Sequence, residues 1–141
     1  MIKFHTIGQI EKRYEFTDAV AAADTFNGAF GDISSGTFTV GAGKSKAIMQ
    51  KENGDDADLD KYPIAKGSHV RVIDLDAFDG ESIELYGFPL PDSVAVNDKL
   101  DSDATGALKV NGSASTGFYL EVKEIIGNKL GVVALVHKAT A

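Results

Sequence analysis

The chain has no cysteine and no tryptophan, and only three prolines and three histidines in 141 residues. Without cysteine there are no disulfides and no thiolate metal sites, and the redox compartment stays open. A chain of this length buries a sufficient core without either staple. Without tryptophan, the eight Phe and four Tyr must supply the aromatic part of that core. No apolar run reaches the 18 or so residues a membrane helix needs. The segment Met1–Ile7 also lacks the long apolar stretch of a secretion signal, so synthesis and use inside a cell are expected. Positive charge is scarce too. Fourteen Lys and Arg stand against 21 Asp and Glu, a net charge of −7. That balance argues against non-specific nucleic-acid binding, which needs basic residues to displace phosphate counterions.

Glycine is plentiful, at 15 residues, as expected where short strands meet in tight turns. The C-terminal part carries most of the strand signal. Ser68–Leu75, Ser82–Phe88, Leu108–Val110, Gly117–Ile126 and Leu130–His137 are apolar or alternating runs cut by polar turns. In His69–Leu75, Val70 and Val72 fall on one face, His69, Arg71, Ile73 and Leu75 on the other. Asp79-Gly80 predicts a hairpin into Ser82–Tyr86. Gly127–Lys129 predicts a tight turn, with Leu130–His137 returning antiparallel to the longest strand, Phe118–Ile126.

The N-terminal part reads differently. One strand is expected within Met1–Phe16. Thr17 or Asp18 suits a helix N-cap before Ala19–Ala23, which predicts one or two helical turns stopped at Asn27-Gly28. Thr37–Val40 alternates and predicts a strand, with Ser45–Gln50 as its hairpin partner across the glycines at 41 and 43. Glu52–Lys61 is acidic and predicts a solvated loop, followed by a boundary before Tyr62-Pro63. The expected fold is all-β: a small antiparallel barrel or sandwich at 63–141, preceded by a Gly-rich extension or arm at 1–62 with little helix and one hairpin.

Chemistry-bearing motifs are incomplete. Gly43-Lys44-Ser45 ends like a phosphate-binding loop, but the pattern needs glycine at 38, where Phe38 stands. Asp101-Ser-Asp-Ala-Thr-Gly106 copies the first half of an EF-hand loop, yet position 12 is Gly112 rather than a closing Glu. Asp74, Asp76 and Asp79 likewise have no closing ligand. His5, His69 and His137 lie far apart on strand segments, and no nucleophile elbow accompanies them. Phe78, Tyr86, Phe88, Phe118 and Tyr119 are not interleaved with basic residues, and Asp76, Asp79, Glu81 and Glu84 surround the first three, so they read as core rather than as a nucleic-acid stacking platform. The expectation is a non-enzyme without cofactor or metal.

Asp92–Val110, Gly117–Glu124 and Gly131–Val136 together resemble the head decoration (capsid cement) proteins of tailed bacteriophages. The shared grammar is an apolar residue, Val, Gly-Asp or Asn-Asp, and Leu, then a polar turn, a strand, and a closing Gly-Val-Val. Here Asn97-Asp98 turns the chain, Leu100 buries, Asp103–Gly106 turns it again, and Gly131–Val136 closes the barrel. The resemblance covers residues 89–136. It implies a virion protein made in the host cytoplasm and placed on the outer capsid surface. There it would bind the major capsid protein as a homo-oligomer, a trimer above all, with an N-terminal arm reaching neighbours. Arm residues able to bind a partner are Phe4, Ile7, Ile10, Tyr14, Phe16, Phe26, Phe30 and Ile33, because apolar side chains in a weakly structured segment seek a covering surface. Two other roles fit a small β protein: a tail-tube or head–tail connector component, and an OB-like module binding a ligand or single-stranded nucleic acid. Neither membrane nor direct nucleic-acid contact is expected under the first reading.

Overall fold

The computed structural model describes residues 2–4, 16–49, 63–86, 90–91, 93–112, 118–126 and 131–137. Its strands are β1 (Ile2–Phe4), β2 (Phe16–Ala21), β3 (Thr25–Phe26), β4 (Phe30–Ser34), β5 (Thr37–Val40), β6 (Lys46–Ile48), β7 (Pro63–Ile64), β8 (His69–Asp74), β9 (Ser82–Tyr86), β10 (Lys99–Ser102), β11 (Leu108–Val110), β12 (Tyr119–Ile126) and β13 (Gly131–His137). The protein is all-β. Among the described residues, helical backbone is confined to one 3-10 turn, Leu75–Phe78.

Five strands close a barrel in the order β2-β5-β4-β6-β8, with β8 returning to β2. Only β2 and β5 run parallel. A barrel of five strands has a narrow interior that side chains must fill. Here Phe38, 1% exposed, is the large occupant, beside Ile48, Ile64, Val70 and Val72. Small residues line the wall where the ring needs room: Ala19 and Ala21 on β2, Gly31 on β4. This explains why Ala19–Ala23 does not form the expected helix. Alanine's helix preference is worth only tenths of a kcal/mol per residue over ordinary residues. Pairing with β8 and burial of Ala19 and Ala21 outweigh it.

The second layer is an antiparallel sheet in the order β1-β9-β13-β12-β10-β11. Its inner face presents Ile83, Leu85, Leu100, Leu120, Val122, Val132, Ala134 and Val136. That face packs on the outward residues of the barrel: Phe30, Ala47 and Ile73 belong to the same core. The 3-10 turn carries the chain between layers. Asp74 caps it, its Oδ1 accepting the Asp76 N–H at 3.0 Å, and Leu75 and Phe78 are fully buried beneath it.

Four further expectations change. Ser45–Gln50 does not pair with β5, whose two edges are already taken by β4 and β2; β6 instead runs between β4 and β8. Asp79-Gly80 does not make a hairpin, because β8 and β9 lie in different layers. Gly131–Val136 does not close a barrel: β13 sits inside the open sheet between β9 and β12. The expected division before Pro63 runs through both layers. The barrel takes four strands from 16–48 and one from 69–74, and β1 pairs with β9. The hairpin in the N-terminal part is β4–β5, whose turn Ser35-Gly36 has φ of 51° and 77°, the two positive values of a tight hairpin turn.

Candidate docking surface

The barrel and the sheet are clasped at one place, and two of the incomplete motifs form the clasp. Ser102, 1% exposed at the end of β10, donates its hydroxyl to the Gly41 carbonyl at 2.8 Å. It also accepts the Lys44 N–H at 2.9 Å, and its carbonyl accepts the Gly43 N–H at 3.0 Å. The loop that ends like a phosphate site is thus a turn gripped by β10. Its cations are engaged: Lys44 and Lys46 reach Asp32 at 3.9 and 3.3 Å, and Lys46 reaches Asp74 at 3.9 Å. The Ile33 N–H first, and then Lys46, hold the Asp32 carboxyl below its ordinary range. Being exposed, these ion pairs fix geometry more than they stabilise, at about 0–1 kcal/mol each.

The Asp101–Gly106 segment is the second half of the clasp. Asp103 Oδ1 accepts both the N–H and the hydroxyl of Thr105, at 2.7 and 2.6 Å. The Thr105 hydroxyl is the main reason its carboxyl titrates below the usual 3.8. Gly106, with φ 84°, turns the chain so that its carbonyl accepts the Phe30 N–H at 2.8 Å. These oxygens serve a turn, and among the described residues no group of three His, Asp or Glu side chains is placed to hold a metal ion. Replacing Ser102 with alanine strips two part-buried hydrogen bonds from this clasp. We expect a loss of about 1–3 kcal/mol, seen as a lower urea midpoint with an unchanged slope.

The outer face of the sheet carries a polar network. Tyr119 and His137 are cross-strand neighbours with rings stacked at 4.5 Å. Glu121 Oε1 sits 3.0 Å from His137 Nε2 and 3.1 Å from Lys123 Nζ. Lys123 first, and then His137, keep the Glu121 carboxyl below its usual range. Lys99 lies 5.5 Å above the Tyr119 ring. On the same face Tyr86 lies over Gly131 and donates its hydroxyl to Glu84. Burial, then the Glu84 carboxylate, push this phenol up to about 12. Ultraviolet titration should therefore show a tyrosine still protonated at pH 11. Glu84→Gln should lower its midpoint in part, because burial, the larger cause, remains.

The eight residues expected to bind a partner scatter. Ile7, Ile10 and Tyr14 lie outside the described residues, and Phe4 ends β1 opposite Ile83. Phe30 is 0% exposed and belongs to the inter-layer core, so it cannot meet a partner. Ile33 packs on the barrel core, and Phe16 is half-buried with the Arg71 guanidinium 4.1 Å over its ring. Among those of the eight whose side chains are described, Phe26 on β3 is the large apolar one left exposed, at 42%.

Two others had no place in that set: Val96 and Val110, exposed at 49% and 44%. Val110 lies on β11, the edge strand of the sheet opposite β1. Leu108–Val110 reads as a strand from sequence, but its edge position depends on which strands pair and has no local signature. The chain matches no protein-family model and no curated protein.

Proposed function

We propose that this protein is a non-catalytic structural component of a tailed-phage virion, a head decoration protein that binds and stabilises the capsid lattice from outside. The observation that carries this reading is how the segment resembling decoration proteins folds. Its pieces form four neighbouring strands, β11-β10-β12-β13; the two polar turns and the buried leucine take the local roles expected of them, while β13 lies within the open sheet rather than closing a barrel. Asn97 turns the chain at φ 75°, Leu100 is fully buried, and Asp103–Gly106 forms the second turn. The partner under this reading is the major capsid protein, and the protein acts as a homo-oligomer, a trimer above all. Cosedimentation with purified expanded capsids tests it. Binding that saturates at a fixed ratio to capsid subunits is expected. No binding, where a functional decoration protein binds the same capsids, overturns it.

The closed five-stranded barrel favours one second reading, a small OB-like module. Salt-sensitive binding of single-stranded DNA to the purified protein would select it.

A further inference from the structure

The six-stranded sheet ends on one side at β11, and the hydrogen-bond parity of β10 and β11 shows what that edge offers. The Asn111 N–H donates to the Lys99 carbonyl at 2.7 Å, and the Asp103 N–H to the Ala107 carbonyl at 2.8 Å. With Leu100 opposite Val110 and Asp101 opposite Lys109, residues 107, 109 and 111 therefore face β10. Leu108 and Val110 point their N–H and C=O groups away from it. No strand among the described residues pairs with that outer side. The side chains alternate to match. Leu108, 3% exposed, and Val110, 44% exposed, lie on the inner face, so Val110 prolongs the core to the rim. Lys109 is exposed on the outer face, across from Asp101.

We infer that β11 is a strand-addition site, accepting an extended segment of a partner protein that carries an acidic residue opposite Lys109 and apolar residues on either side of it. Added strands gain affinity from main-chain bonds and specificity from alternate side chains. Here the incoming apolar residues cover Val110, and the acid neutralises Lys109. A second copy of this chain is disfavoured in the register centred on Lys109. Antiparallel self-pairing about Lys109 sets two ammonium groups directly opposite, which destabilises a sheet pair. The inference rests on reading the protein as a docking module, and it names the edge used and the chemistry recognised.

Hydrogen exchange and peptide titration, followed by NMR on the full chain, test it. In the free protein the Leu108 and Val110 amides should exchange fast while Lys109 and Asn111 are protected. The probe is a synthetic peptide Thr-Val-Glu-Val-Glu-Val-Thr. It should protect Leu108 and Val110 and shift signals along β10 and β11. The same peptide with Lys in place of Glu should bind about tenfold more weakly, from the reversed cross-strand charge pair. Val110→Pro removes an outward N–H while leaving the β10 ladder intact, a position where edge strands tolerate proline; it should abolish capture. Lys109→Glu, which keeps the backbone, should reverse the peptide preference. Protection of Leu108 and Val110 in the free protein overturns the inference, as does failure of the glutamate peptide to bind, or equal capture by the proline variant. Capsid binding separates it from the broader reading. Wild type and Val110→Pro binding capsids equally well removes this edge but not the decoration role. Peptide capture without capsid binding removes the role but not the edge.

Discussion

Phe30→Ala is expected to destabilise the protein by about 3–5 kcal/mol, the usual cost of emptying a buried phenylalanine site. At a few degrees per kcal/mol for a chain of this size, that is a fall of about 10 °C or more in Tm. The residue belongs to the barrel by its backbone and to the inter-layer core by its ring. That ring is 0% exposed and lies 6.3 Å from Phe118, centroid to centroid. Its N–H is held by Gly106 and its carbonyl accepts from Gly41, so neighbouring backbone is fixed on both sides and cannot collapse into the space. Calorimetry with a capsid-binding assay decides between the two roles this residue has been given. A residue anchoring a partner lowers binding and leaves Tm unchanged. A core residue lowers Tm, and unchanged stability in Phe30→Ala would refute the packing described above.

Gly31→Ala is expected to be as severe, for the opposite reason. A Cβ at Gly31 would stand 2.2 Å from the Thr39 carbonyl oxygen and 2.8 Å from the Phe38 ring. The first obstacle is backbone of the paired strand and cannot swing aside. Overpacking of a tight core costs about 1–3 kcal/mol, and more where backbone must move. The double variant Gly31→Ala, Phe38→Leu separates the two obstacles. Trimming the ring relieves only the second, so little of the lost Tm should return. Full recovery would mean that the ring, rather than the strand-to-strand approach of β4 and β5, sets the limit.

How much of this was legible in the sequence depends on which force decides each element. β12 was readable because Leu120 and Val122 alternate on its buried face, and β8 because Val70 and Val72 alternate toward the barrel interior while Ile73 meets the inter-layer core. β2 was not, because alanine is chosen there for small volume beside Phe38, and local propensity cannot distinguish that from helix. β10 was hidden by Asp101, Ser102 and Asp103, residues that read as a loop. Their polarity comes from opposing roles in one short segment: Ser102 is buried to grip the barrel turn, while Asp103 builds the turn that follows. The candidate docking edge was out of reach altogether, since an edge is defined by the strand that does not pair with it.

The order of strands in the sheet also sets a timetable for synthesis. β13, residues 131–137, is the last strand in the described chain, yet it lies between β9 and β12 and bonds to both. The barrel has all five of its strands once residue 74 has been made. The sheet cannot join its two halves until the final strand leaves the ribosome. Until then β9 and β12 each keep an unpaired edge, the kind of surface that draws nascent chains into wrong partnerships. β1 waits as well, because its partner β9 follows it by some eighty residues. Folding therefore runs from barrel to sheet, and a chain cut short before β13 would leave the barrel's outer core residues without their covering layer.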